Sequence, residues 1–478
     1  MSDPNSALRT APVGSLMRRY AIPCIISLLV AALYNIVDQI FIGWGVGAEG
    51  NSATNIVFPL TVLALAIATM IGDGACSYVS ISLGAGDPEK AHRSVGNAII
   101  LTVASGLIVM AVFLLFPAQI LRLFGASDEL SAVTKGYAND YFFWIALGIP
   151  FYMFGQAMNP IIRSDGSPRV AMAATLAGAV TNVILDPIAI FVLHWGVTGA
   201  AIATVVGQIV TAVISLVYLL HPKAIRLSKR SFALSGSLIA KFLPLGFTSF
   251  LSQFSLVLSM AVMNNMISKY GAVSAFATLN AETGRMVGDI PLAVQGIVMK
   301  YYQIVISIVV GMAAGCIPIV GYNFGACAYD RCRAMMKRLL LCEAAVGAVA
   351  TVLFETIPVP LISLFGTENP PEYFAFAKLA FRIYLCMTTL DCVNKATFIF
   401  LQSLGKALES TFLSLLREVI LAIPLAILLP RLVASLSGEA DGIYGLLISM
   451  PIAAVLTFCC AAVVIGRTNR QLKAKENS

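Results

Sequence analysis

Apolar runs long enough to cross a bilayer recur along the whole chain. They fall near 20–43, 54–83, 94–116, 137–160, 169–193 and 197–220, then 242–267, 289–323, 335–357, 374–401, 410–432 and 443–466. About 20 apolar residues suffice to span the hydrocarbon core as a helix. The pattern therefore predicts an all-α polytopic membrane protein with twelve transmembrane helices. Short polar stretches separate the runs, which leaves little room for a soluble domain.

The twelve runs divide into two sixes. Leu83-Gly84-Ala85-Gly86 echoes Phe324-Gly325-Ala326-Cys327 at an offset of 241. Arg122-Leu123-Phe124-Gly125 echoes Ser363-Leu364-Phe365-Gly366 at the same offset, as Pro117 does Pro358. Arg163-Ser164-Asp165-Gly166 echoes Gln402-Ser403-Leu404-Gly405 at 239. Six spans per half is an even number, so both halves insert with the same orientation. Two six-helix lobes related by a pseudo-two-fold axis along the membrane normal are expected, with a pathway between them. The expected organisation is a first lobe over 1–220, a linker over 221–241, and a second lobe with tail over 242–478. The second half also carries about twenty extra residues near 270–289, including Glu282 and Arg285, expected in an outer loop.

Composition agrees with that reading. The 478-residue chain is 59% hydrophobic and 12% charged, with mean hydropathy +0.87, whereas soluble domains carry about 25% charged residues. The net charge of +7 needs no nucleic acid to explain it. With both termini in the cytoplasm, 21 Lys and Arg fall in inner segments and 6 in outer loops, the bias of a protein oriented by positive-inside charge. A cleavable leader is not expected, because the first run is too long and no small-residue cleavage site follows. The ten cysteines lie mostly in apolar runs without a C-x-x-C, and read as small buried hydrophobes. His92, His194 and His221 sit in separate loops, so no structural metal is expected. The chain lacks a G-x-x-x-x-G-K-[ST] phosphate loop, a zinc-protease helix and a G-x-S-x-G elbow, which argues against an enzyme or a self-powered ATPase.

The charges inside the spans are the candidate chemistry. Asp38 is the one charge between Ala21 and Gly43. A carboxylate there costs at least ~2.5–3.5 kcal/mol to insert, and such residues mark ion or substrate pathways. Tyr34 is one turn away on the same face. Asn182 and Asp186 share a face of the fifth span, followed at once by Pro187. Asp186 reads either as an Asp-Pro irregularity near the interface or as a second acid facing Asp38. Two such acids would titrate as a coupled pair able to hold a proton or Na⁺. Thr204 could simply bond its own backbone, and Asn159, before Pro160, could cap a helix end. In the second half Lys300, Asp391, Lys395 and Glu418 stand out, with Arg417 beside Glu418. Asp391 and Lys395, four apart, could pair within their own helix. Gly311-x-x-x-Gly315 and Gly321-x-x-x-Gly325 permit close helix contact.

Taken together, Leu33-Tyr34-Asn35-Ile36-Val37-Asp38-Gln39-Ile40-Phe41-Ile42-Gly43, Ser82-Leu83-Gly84-Ala85-Gly86-Asp87, Asn159-Pro160-Ile161-Ile162-Arg163-Ser164-Asp165-Gly166 and Gly321-Tyr322-Asn323-Phe324-Gly325-Ala326 resemble the multidrug and toxic compound extrusion (MATE) transporters. The MepA-like bacterial DinF-type branch is the one resembled, over about residues 15–465. The resemblance implies a secondary antiporter in the bacterial inner membrane that exports amphipathic, mostly cationic drug-like compounds against H⁺ or Na⁺. It needs no cofactor and acts as a monomer in the lipid bilayer. It further implies a first-lobe cation site at Asp38, Asn182, Asp186 and Thr204, with Tyr34 and Asn159 in support, and Na⁺ at Asp38 and Asp186 as one form of it. Asp391 falls where another branch has a functional aspartate. Asp73, Lys300, Lys395 and the 270–289 insertion depart from the pattern. A lipid or lipid-linked oligosaccharide flippase of the same superfamily is the first rival reading. A membrane-embedded enzyme or receptor is the second.

Overall fold

Apolar sequence with few breakers becomes long helix throughout. The computed structural model describes residues 6–123, 132–279, 286–287, 289–363 and 371–477. Eleven helices among them are long and apolar enough to cross a membrane, and a twelfth span is a bent pair. The first six are Val13–Gly45, Ala48–Gly84, Pro88–Leu115, Ala132–Ser164, Pro168–Val192 and Gly196–Leu220. The second six are Gly236–Gly271, Asp289–Gly325, Tyr329–Thr356, the pair Pro371–Tyr384 and Thr388–Ser403, Ala407–Ser437 and Glu439–Glu476. Most helices run several residues beyond the expected spans, because a helix need not stop where the hydrocarbon does. Helices of 33 to 38 residues exceed the ~20 residues that the core requires.

Among the described residues, three spans are irregular. The tenth bends by 45° between Tyr384 and Thr388, a stretch with neither Pro nor Gly. There the Thr388 hydroxyl donates to the Leu385 carbonyl at 2.7 Å and the Cys386 thiol to the Ile383 carbonyl at 3.1 Å. Side-chain donors thus occupy carbonyls the helical ladder would use. The fifth span turns π-helical over Ile188–Val192, straight after Pro187, whose missing N–H breaks the i to i−4 ladder. The eleventh is π-helical over Leu416–Leu421.

The extra residues of the second half include a short antiparallel pair, with Thr278 opposite Val287 and Leu279 opposite Met286. Glu282 and Arg285 lie outside the described residues, as do Phe124, Gly125, Leu364, Phe365 and Gly366 of the repeated words.

The chain forms two compact units. The first comprises Met1–Phe254, Gly311–Met335 and Phe400–Ala407; the second comprises Ser255–Val310, Met336–Ile399 and Leu408–Ser478. The first has a core that includes Ile42, Leu60, Ile71, Phe142, Met153 and Phe242. The second has its own, around Tyr270, Val298, Phe376, Phe381 and Leu446. Met263, Met266 and Met299 pack into that second core.

Inside the first unit the repeated glycines have a physical role. A Cβ on Gly84 would lie 1.9 Å from the Tyr322 carbonyl oxygen, and one on Gly325 would lie 2.0 Å from that of Ile81. The two helix ends therefore touch backbone to backbone. Two residues past each glycine the chain turns left-handed, with φ 74° at Gly86 and 57° at Cys327. The repeat thus preserves a turn as well as a word.

Two buried polar anchors fasten residues 221–235 to this unit. Asp165 accepts from the Tyr218 hydroxyl (2.6 Å) and from the backbone N–H groups of Lys223 (2.6 Å), Ala224 (2.7 Å) and Ile225 (2.7 Å). Asn97 donates to the Ala233 carbonyl at 3.1 Å and accepts from Ser235 N–H at 2.8 Å.

Candidate functional site

The fifth span places Asn182 and Asp186 one turn apart on its buried face, and the first span brings Asp38 to them. All three side chains are buried. The Asn182 amide donates to Asp186 Oδ1 at 3.2 Å and to the Thr204 hydroxyl of the sixth span at 3.3 Å. Asp38 and Asp186 lie close enough for their carboxyl groups to interact. Ionised carboxylates only accept, so such a contact needs a proton or another cation between them. Three buried oxygens at the site, Asp38 Oδ1, Asn182 Oδ1 and Asp186 Oδ2, have no hydrogen-bond partner. A cluster of unsatisfied oxygens around two acids has the chemistry of a hard-cation or proton site.

The helix irregularity after Pro187 is present, and the Asp186 carboxylate is buried.

Tyr34 lies beside both acids. It also lines a cavity of ≈ 40 Å³ with Tyr152, Gln156, Thr175, Asn182 and Thr204, enough for ordered water. Asn159 stands apart from the acids. Its amide donates to the Ala171 carbonyl at 3.1 Å and to the Thr175 hydroxyl at 3.0 Å, which ties the fourth span to the fifth. Sequence reasoning missed Tyr141 of the fourth span, which is buried in the neighbourhood of Asp38, Asp186 and Thr204. A tyrosine in an aromatic-rich run carries no signal by itself.

Asp73 finds its counter-charge inside the first unit. Arg163 Nη2 lies 3.8 Å from Asp73 Oδ1, and the Ser249 hydroxyl donates to Asp73 Oδ2 at 2.8 Å. Arg163 also contacts the Cys24 thiol, and Gln402 donates to Ser249 at 3.3 Å. Arg163 is thus a buried cation.

In the second unit the charges pair between helices. Arg417 grips Asp391 through Nε–Oδ1 at 3.0 Å and Nη2–Oδ2 at 2.9 Å, and holds Glu418 Oε2 at 3.1 Å through Nη1. Lys395 pairs with Glu418 Oε1. Asp391 and Lys395, whose spacing would allow a pair within the tenth span, thus take different partners. The π-helical turn presents Arg417 and Glu418 to the two residues separately. Tyr302 completes the group, donating to Asp391 Oδ2 at 3.3 Å. Lys300 sits half-buried on the eighth span.

The MatE family model matches residues 23–188 and 266–428. The chain belongs to the MatE family. Among MatE relatives, the Multidrug export protein MepA of Staphylococcus aureus (strain MSSA476) is 26% identical over 459 residues, covering 95% of this chain and 94% of that protein. The solved structure of the MATE multidrug transporter DinF-BH, a ligand complex, is 32% identical, with TM-score 0.83 and 96% of each chain covered. A MATE crystal structure in complex with MaL6 shares the fold, with TM-score 0.85 at 22% identity over 99% of this chain and all of that one. This MatE protein is thus a MepA-like integral membrane transporter with the twelve-helix fold, and not an enzyme.

Proposed function

We propose that this MatE protein is a multidrug efflux antiporter that exports amphipathic, mostly cationic compounds in exchange for H⁺ or Na⁺. Its coupling-cation site comprises Asp38, Asn182, Asp186 and Thr204, with Tyr34 and Asn159 in support. The observation that carries the reading is the meeting of two buried carboxyl groups flanked by three unpartnered oxygens. The relatives, a multidrug export protein and a multidrug transporter, support drug export. In this reading both termini are cytoplasmic and the protein acts as a monomer in a bacterial inner membrane. Residues 1–220 and 242–478 form its two lobes, joined by the 221–241 linker. Binding of the cation at Asp38 and Asp186 shifts the first-lobe helices and weakens drug binding. Each inward elementary charge contributes about 2.3 kcal/mol per 100 mV.

The test is transport by purified protein in proteoliposomes, driven by an imposed H⁺ gradient or, separately, a Na⁺ gradient. The gradient that drives drug uptake identifies the coupling ion. Asp38→Asn is expected to abolish gradient-driven transport at unchanged expression; full transport by that variant overturns the assignment.

A further inference from the structure

The ninth span carries an acid, Glu343, at the midpoint of Tyr329–Thr356. At 1.5 Å per residue it is about 21 Å from the helix start. Its side chain is fully buried, and neither carboxyl oxygen has a hydrogen-bond partner. Leu339, Gly347 and Ala350 lie on the same buried face. That face presses on the tenth span just after its 45° break. A Cβ on Gly347 would lie 2.6 Å from Thr389 Cα and 3.0 Å from Cys392 Sγ, and the hydroxyls of Thr351 and Thr389 are 3.1 Å apart.

The titratable group facing Glu343 from the tenth span is the Cys392 thiol. The charges nearby on that helix are engaged elsewhere, Asp391 with Arg417 and Lys395 with Glu418. A carboxylate without donor or cation does not persist in an apolar interior, whereas a carboxylic acid of the same shape does. Burial of Glu343 therefore requires a proton on it, and exposure to water permits that proton to leave.

We propose that Glu343 is a second proton-binding site, in the second unit, loaded and emptied as the ninth span shifts against the broken tenth span. A carboxylate oxygen takes the proton from water and later returns it to water, with no other bond changed. The proposal rests on the reading of the chain as a cation-driven antiporter but not on the role of Asp38.

Two measurements on the full-length protein in lipid test it. Infrared difference spectroscopy should show a protonated-carboxyl C=O band that titrates with pH and is absent from Glu343→Gln. Proteoliposome reversal potentials should show one fewer proton moved per drug molecule in Glu343→Gln, with transport retained. A band that disappears in Glu343→Gln yet never titrates in the wild type would mark a permanently protonated packing group and overturn the proposal. An unchanged proton count would do the same. Transport by Asp38→Asn would count against the first-unit site alone, because the infrared titration needs no transport.

Discussion

Both arms of the Arg417 guanidinium close on the Asp391 carboxylate, at 3.0 and 2.9 Å, while its third nitrogen holds Glu418. The group is buried, so its charges are sustained by one another and not by solvent. Arg417→Met leaves Asp391 without its cation. The expected cost is ~3–5 kcal/mol, the range for breaking a buried pair. Lys395→Met is expected to cost less, because Glu418 keeps Arg417. Thermal unfolding in detergent with both variants checks the order.

The Thr204 hydroxyl accepts from Asn182 at 3.3 Å, beside the paired acids. Thr204→Val keeps the shape and removes the acceptor. A lost buried hydrogen bond costs ~1–3 kcal/mol. The affinity for the coupling cation is expected to fall about tenfold, equivalent to ~1.4 kcal/mol within that range. Drug transport against graded H⁺ or Na⁺ concentration gives the midpoint.

Asp165 accepts one hydroxyl and three backbone N–H groups. Asp165→Ala orphans all four donors and is expected to destabilise the first unit by several kcal/mol, at ~1–3 kcal/mol per unsatisfied donor with water rescuing some of them. Limited proteolysis should then cut within 222–235 faster than in the wild type. Unchanged proteolysis would show that the linker is held by its other contacts.

The turn repeat makes a pair of opposite predictions. Gly325→Ala places a methyl 2.0 Å from the Ile81 oxygen, and overpacking of this kind costs ~1–3 kcal/mol. Cys327→Gly relieves a left-handed φ of 57° and should stabilise by ~1 kcal/mol. Melting temperatures of the two variants should move in opposite directions.

Much of this was legible in the chain. Spanning helices announce themselves through long apolar runs, and a lone charge such as Asp38 stands out within one. The spacing of four between Asn182 and Asp186 put them on one face, as found. Partners between helices were not legible. Spacing allowed Asp391 to pair with Lys395, but helix packing and a π turn gave Asp391 to Arg417 and Lys395 to Glu418. Glu343 escaped notice because its run also carries charges at its ends, which dilute the signal of the one in the middle. The bend before Thr388 has no Pro or Gly to mark it and arises from side-chain donors.

The wide turn after Pro187 has a consequence for traffic. Ile190 and Phe191 of that turn crowd the end of the first span; a Cβ on Gly45 would lie 2.1 Å from Ile190 Cγ2. Phe41 and Phe191 meet edge to face at 6.3 Å, and Ile42, one turn beyond Asp38, is fully enclosed. Hydrocarbon thus roofs the acids on that side. On the other side, Tyr34, Asn182 and Thr204 border a small cavity. Water held in that cavity therefore meets the acid cluster at Tyr34, Asn182 and Thr204, on the side away from the crowded turn.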